Sequence, residues 1–99
     1  MKILFDQGTP APLRLHLTAH TIDLAYERGW SNLANGDLLD AAEREGYHLL
    51  VTTDQNLQYQ QNLAGKQIGI VVLLSTSWPR ILMRVDEVRA ALDAIAPGE

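Results

Sequence analysis

Two stretches of this chain place apolar side chains at consecutive rather than alternating positions, and this habit constrains the fold more than any other feature. Leu49-Leu50-Val51-Thr52-Thr53 is apolar or β-branched throughout, and residues 68–74 repeat the pattern with one glycine, Gly69. A strand with one face in water alternates; a strand covered on both faces need not. Such strands belong to parallel sheets, whose neighbours are joined by helical crossovers on either face. A shorter run, Lys2-Ile3-Leu4-Phe5, opens the chain in the same manner and stops at Asp6. The expectation is an α/β protein of three layers, with a mostly parallel central sheet of about four strands and helices on both faces.

The punctuation between these runs fits that plan. Gly8-Thr9-Pro10-Ala11-Pro12 forces a turn after Asp6, because two prolines bar a continuing strand. Pro12 suits a first helical turn, so Leu13, Leu15 and Leu17 predict a short helix, with a second strand at 21–24. Residues 26–35 have neither period and read as a loop. Asn35 is a good N-cap, Gly36 and Asp37 open the next helix, Leu38, Leu39, Ala41 and Ala42 form its apolar face, and Gly46 ends it. The Gln- and Asn-rich residues 55–63 leave room for a short polar helix. From Pro79 onward, Ile81, Leu82, Val85, Val88, Leu92 and Ile95 recur at helical spacing and predict one amphipathic closing helix, fraying at residues 96–99.

At 99 residues the chain makes one domain, with nearly half its residues apolar and a fifth charged, as in an ordinary globular protein. No apolar run is long enough to span a bilayer, and Asp6 interrupts the N-terminal segment before a signal-peptide core forms, so a cytoplasmic protein is expected. The absence of cysteine excludes disulfides and thiolate chemistry; any metal must bind oxygen or imidazole. A net charge of -4 argues against a broad basic face for nucleic acid, although Arg14, Lys66, Arg80 and Arg84 remain available for a local patch.

In parallel sheets ligands bind beyond the carboxyl ends of the strands, the edge at which Asp6 and Asp54 follow their runs. Asp37 joins them there if its helix covers the same strands. It also has a purely structural reading, as an acid complementing the dipole in the first turn of a helix. Gathered carboxylates repel by roughly 4 kcal/mol per pair at ~4 Å and an effective dielectric near 20, so a cluster of three predicts a cation. Oxygen ligands without cysteine favour Mg²⁺ or Mn²⁺. The histidines offer less: His16 and His20 lack a third ligand nearby and read as structural, His48 as a strand-start residue, and Gly29-Trp30 as a loop anchor.

These residues also carry a family likeness. Ile3-Leu4-Phe5-Asp6-Gln7-Gly8-Thr9-Pro10 resembles the strand, aspartate and proline opening of small PIN-like proteins often paired with antitoxins, with Gln7 and Thr9 where a second acid and a leucine are usual. Asn35-Gly36-Asp37-Leu38-Leu39 is similar to that family's helix-opening acid. Leu50-Val51-Thr52-Thr53-Asp54-Gln55-Asn56-Leu57 resembles its strand-Thr-x-Asp-x-Asp-Phe motif, with Asn56 and Leu57 replacing the last acid and the aromatic. The resemblance implies a metal-dependent ribonuclease in which Asp6, Asp37 and Asp54 bind Mg²⁺ or Mn²⁺ and Asn56 is a neutral fourth member. It further implies an RNA substrate and a toxin role opposed by an antitoxin protein; a homodimer is left open by the sequence. The missing acids at Gln7 and Asn56 leave a second expectation open: a weakened PIN-like scaffold that works by binding a partner protein. Phosphatases of the haloacid-dehalogenase type and response-regulator receivers fit less well, since neither the second aspartate of the former nor the acidic pair and late lysine of the latter is present.

Overall fold

The structure, a computed structural model, describes residues 1–54 and 68–94, with Asn35 by its backbone alone. Four strands, β1 (Lys2–Phe5), β2 (Thr21–Leu24), β3 (Leu49–Thr52) and β4 (Gly69–Val72), form one sheet in the order β2-β1-β3-β4. All three pairings are parallel, with Phe5 beside Leu24 on one side and beside Val51 on the other. The α/β class expected from the consecutive apolar runs is what the chain adopts.

Successive residues of β1 divide between two apolar layers, because side chains alternate across a strand. Ile3 and Phe5 point into one cluster with Leu13, Leu17, Ile81 and Leu92; Leu4 points into the other with Leu38, Leu39, Ala42 and Tyr47. The first cluster is covered by a 3-10 helix, Ala11–His16, and by α2 (Trp78–Met83) and α3 (Val85–Ala94). The second is covered by α1 (Asn35–Arg44). Both faces of the sheet are therefore dry, which removes any need for alternation in β3, all four of whose residues are buried.

One expected element takes a tighter form and two details depart from the sequence expectation. The short helix expected after Pro12 is a 3-10 helix; six residues with prolines at and just before their start give too few intrahelical bonds for a stable α-helix. A second short 3-10 helix, Ala25–Arg28, runs into the segment 26–35 read as a loop, and the N–H of Leu24 before it is taken by Glu27 Oε1 at 2.9 Å. The closing helix is broken at Arg84 into α2 and α3, both of which pack on the Ala11–His16 turn. No glycine marks that bend, and the apolar periodicity runs through it without a break. The polar helix expected at 55–63 and the fraying tail at 96–99 lie outside the described residues.

A left-handed turn closes α1 and sets the path into β3. Gly46 adopts φ 83°, and Tyr47 N–H bonds back to Ala42 O at 3.0 Å while Gly46 N–H bonds Glu43 O at 3.1 Å, the paired bonds of a left-handed helix stop. That turn buries Tyr47 and brings its hydroxyl 2.5 Å from Asp23 Oδ2 on β2. Trp30 meets the Tyr47 ring edge-on at 6.1 Å, so the loop-anchor reading of Gly29-Trp30 describes its packing. His48 Nδ1 accepts the Lys2 N–H at 3.0 Å, which ties the starts of β1 and β3.

Candidate functional site

The direction of the sheet reverses between β1 and β3: from β1 the chain passes outward to β2, then returns beyond β1 to β3 and on to β4. In open parallel sheets a crevice forms at such a reversal, outside the carboxyl ends of the two strands. Asp6 follows β1 and Asp54 follows β3, so both stand at this point. Continuing the register that pairs Phe5 with Val51 sets Asp6 beside Thr52, on the α1 face of the sheet.

Two buried hydroxyls hold Asp6. Thr9 and Thr52 are the buried polar or charged side chains among the described residues, and both turn to this carboxylate. Thr9 Oγ1 donates to Asp6 Oδ1 at 2.8 Å and lies 2.9 Å from the Val51 carbonyl oxygen, so its single proton is shared between the turn and β3. Thr52 Oγ1 donates to Asp6 Oδ2 and accepts the Asp54 backbone N–H at 3.0 Å. Thr52 thus links the two acids: it orients one and fixes the chain direction at the other. Gly8 lies against this knot, where a Cβ would stand 2.8 Å from Thr53 Oγ1. A side chain at this position would require the Thr53 side chain, just beyond β3, to shift.

Asp37 lies in the first turn of α1, exposed, and its neighbour Leu38 lines a small cleft with Asp6, Gln7 and Gly8. It belongs to the same end of the molecule. Among the described residues, however, no three His, Asp or Glu side chains stand close enough to share an ion; Asp6 and Asp54 are joined through Thr52, and Asp37 stands apart from that link. Asn56 lies outside the described residues. The donor set still suits a hard cation, since Mg²⁺ is commonly held by one or two carboxylates plus water, and each Asp6 oxygen keeps a lone pair beyond its hydroxyl bond. Asp6 and Asp54 are the residues that would hold it.

His16 and His20 have structural partners. His16 packs its ring 5.7 Å from Trp78, and His20 Nε2 lies 2.7 Å from Asp93 Oδ1 on α3. The shifted ionisations lie elsewhere. Burial, reinforced by the Asp23 carboxylate, pushes the Tyr47 phenol well up. The Leu24 N–H, and then the Arg14 guanidinium at 2.8 Å, draw the exposed Glu27 carboxyl below its usual value.

Sequence reasoning weighed the acids and passed over the hydroxyls. Thr9 stands three residues after Asp6, the spacing at which a hydroxyl reaches back across a turn, and Thr52 stands two before Asp54; those spacings were the available signal.

Compared with protein-family profiles, curated proteins and solved structures, the chain matches none. No helix among the described residues is long and apolar enough to cross a membrane.

Proposed function

We propose that this chain is a PIN-like, metal-dependent ribonuclease that hydrolyses RNA phosphodiesters at the β1/β3 edge. One observation carries the reading: Asp6 and Asp54 follow neighbouring parallel strands at the reversal of strand order, and one buried hydroxyl, that of Thr52, donates to the Asp6 carboxylate and accepts the Asp54 backbone N–H. Acids that follow adjacent strands at that location are suited to hold a cation against a phosphate. A bound Mg²⁺ or Mn²⁺ would supply Lewis-acid charge to offset the negative charge growing on the scissile phosphate. Thr9 and Thr52 keep Asp6 in one orientation, so the carboxylate needs little reorganisation on binding. Asp37 at the start of α1 and Asn56 after Asp54 complete the proposed set.

In this reading the protein works in the cytoplasm as the toxin of a toxin-antitoxin pair. Expression then inhibits growth, and Asp54→Asn abolishes the inhibition while leaving the circular dichroism and melting profile of the fold intact. An equally toxic Asp54→Asn variant would refute the catalytic account.

A second reading has its own observation. Both oxygens of Asp6 already accept internal hydroxyl bonds, and three carboxylates do not gather among the described residues. A PIN-like scaffold with a weakened site, acting through a protein partner, accounts for that. Manganese titration separates the two: saturable binding lost in Asp6→Ala supports the nuclease, and no binding by folded wild type supports the scaffold.

A further inference from the structure

Beside the acidic edge, over the ends of β1 and β2, lies a cavity of about 370 Å³. Its lining includes Asp6 and Thr9 after β1, Leu24 and Tyr26 at and just past the end of β2, and Thr76 and Trp78 before and at the start of α2. Tyr26 is 64% exposed although the residues before it, Leu24 and Ala25, are buried. Tyr26 thus borders the cavity and takes no part in the core. Trp78 is half-buried, backed by the apolar cluster and by the His16 ring, so one of its surfaces is held firmly while it borders the same space.

The chemistry of the lining limits what fits. Among the described residues no lysine or arginine borders the cavity, and Asp6 does. A phosphate would meet a carboxylate there without a compensating cation from the wall, whereas a neutral, flat group gains from two aromatic surfaces. Thr76 and Gln7 add hydrogen-bonding groups of the kind that read the edge of a base. The volume lies near the lower end of small-molecule clefts, roughly 300–1,000 Å³, which suits one ring system and not a duplex. Unpaired RNA bases are bound by this combination of aromatic stacking and edge hydrogen bonds.

We infer that the cavity bounded by Asp6, Tyr26 and Trp78 receives one unpaired nucleobase of a single-stranded RNA, stacked on Tyr26 and Trp78. The inference rests on the nuclease reading only in its choice of RNA, and it makes that enzyme selective for unpaired substrate: the base is seated beside Asp6, next to the phosphate to be cut.

The chain has two tryptophans, so Trp30→Phe leaves Trp78 as the sole reporter. Titration of that variant with a short single-stranded RNA in EDTA, where no metal supports cleavage, is expected to quench Trp78 emission saturably. The same strand in a duplex, or with abasic residues, is expected to leave the emission unchanged. Adding Tyr26→Ala is expected to weaken binding roughly 5- to 150-fold, and Tyr26→Phe, which keeps the ring, to restore it. Because Tyr26 is exposed, neither change threatens the fold. Unchanged emission, or equal affinity for Tyr26→Ala and the parent, would overturn the inference even if the wild type cleaves RNA with metal. Quenching without cleavage would uphold the base site and count against the nuclease. Equal quenching by single-stranded DNA would overturn the assignment to RNA.

Discussion

Replacing Thr52 by valine tests the link between the two acids. The side chain is fully buried, and valine matches its shape while deleting the hydroxyl, so the change is one of bonding rather than volume. Two bonds are lost: the donation to Asp6 Oδ2 and the acceptance of the Asp54 N–H. A bond to a charged group contributes about 1.5–3 kcal/mol and a neutral one about 0.5–1.5 kcal/mol. Asp6 and Asp54 are only half-buried, so water replaces part of what is lost, and the expected destabilisation is about 2 kcal/mol. For a domain of this size that lowers Tm by about 8–16 °C. Urea unfolding should show a lower midpoint at unchanged slope. Thr52→Ser keeps both bonds and loses one methyl, at a cost of about 1 kcal/mol. In an Asp6→Ala background Thr52→Val should cost less, with a coupling energy on the order of 1 kcal/mol. Strictly additive effects, or equal losses for serine and valine, would refute the claim that this hydroxyl joins the site.

Two further expectations concern ionisation. Tyr47→Phe removes the bond to Asp23 and should cost about 1–2 kcal/mol by urea unfolding at neutral pH. Because the folded phenol titrates above its unfolded value of about 10, the wild type should lose stability as pH rises beyond that value, and Tyr47→Phe should flatten the alkaline limb; a parallel decline in both proteins would contradict it. Glu27 has the opposite sign: because its pKa is lowered, the carboxylate adds stability above the usual carboxylate range and loses it as the solution is acidified, so Glu27→Gln should reduce the acid-side slope of Tm against pH, and an unchanged slope would count against the bond to Leu24 N–H.

Much of the framework was legible because it depends on pattern. Consecutive apolar residues in 49–53 and 68–74 specify strands covered on both faces, and the structure places β3 in the middle of the sheet and β4 beside it. Gly46 marked the end of α1 through its need for a positive φ. Features that depend on distant contacts were not legible. The two helices that meet at Arg84 both pack on the Ala11–His16 turn, and the bond from Tyr47 to Asp23 joins residues 24 apart in sequence. At the site, the position of Asp6 at a strand end followed from the sequence, and its neighbourhood with Asp54 required the strand order. The roles of Thr9 and Thr52 required register as well: a shift of one residue would turn Thr52 to the opposite face.

The most direct test of the central claim is cleavage of a mixed single-stranded RNA by the purified protein with added Mn²⁺ or Mg²⁺, comparing wild type with Asp6→Ala and Asp54→Ala. The account predicts metal-dependent cleavage by the wild type, abolished by EDTA and absent in both variants while their folds persist. Intact RNA after incubation with folded, metal-supplied wild type, or undiminished cleavage by either variant, would contradict it.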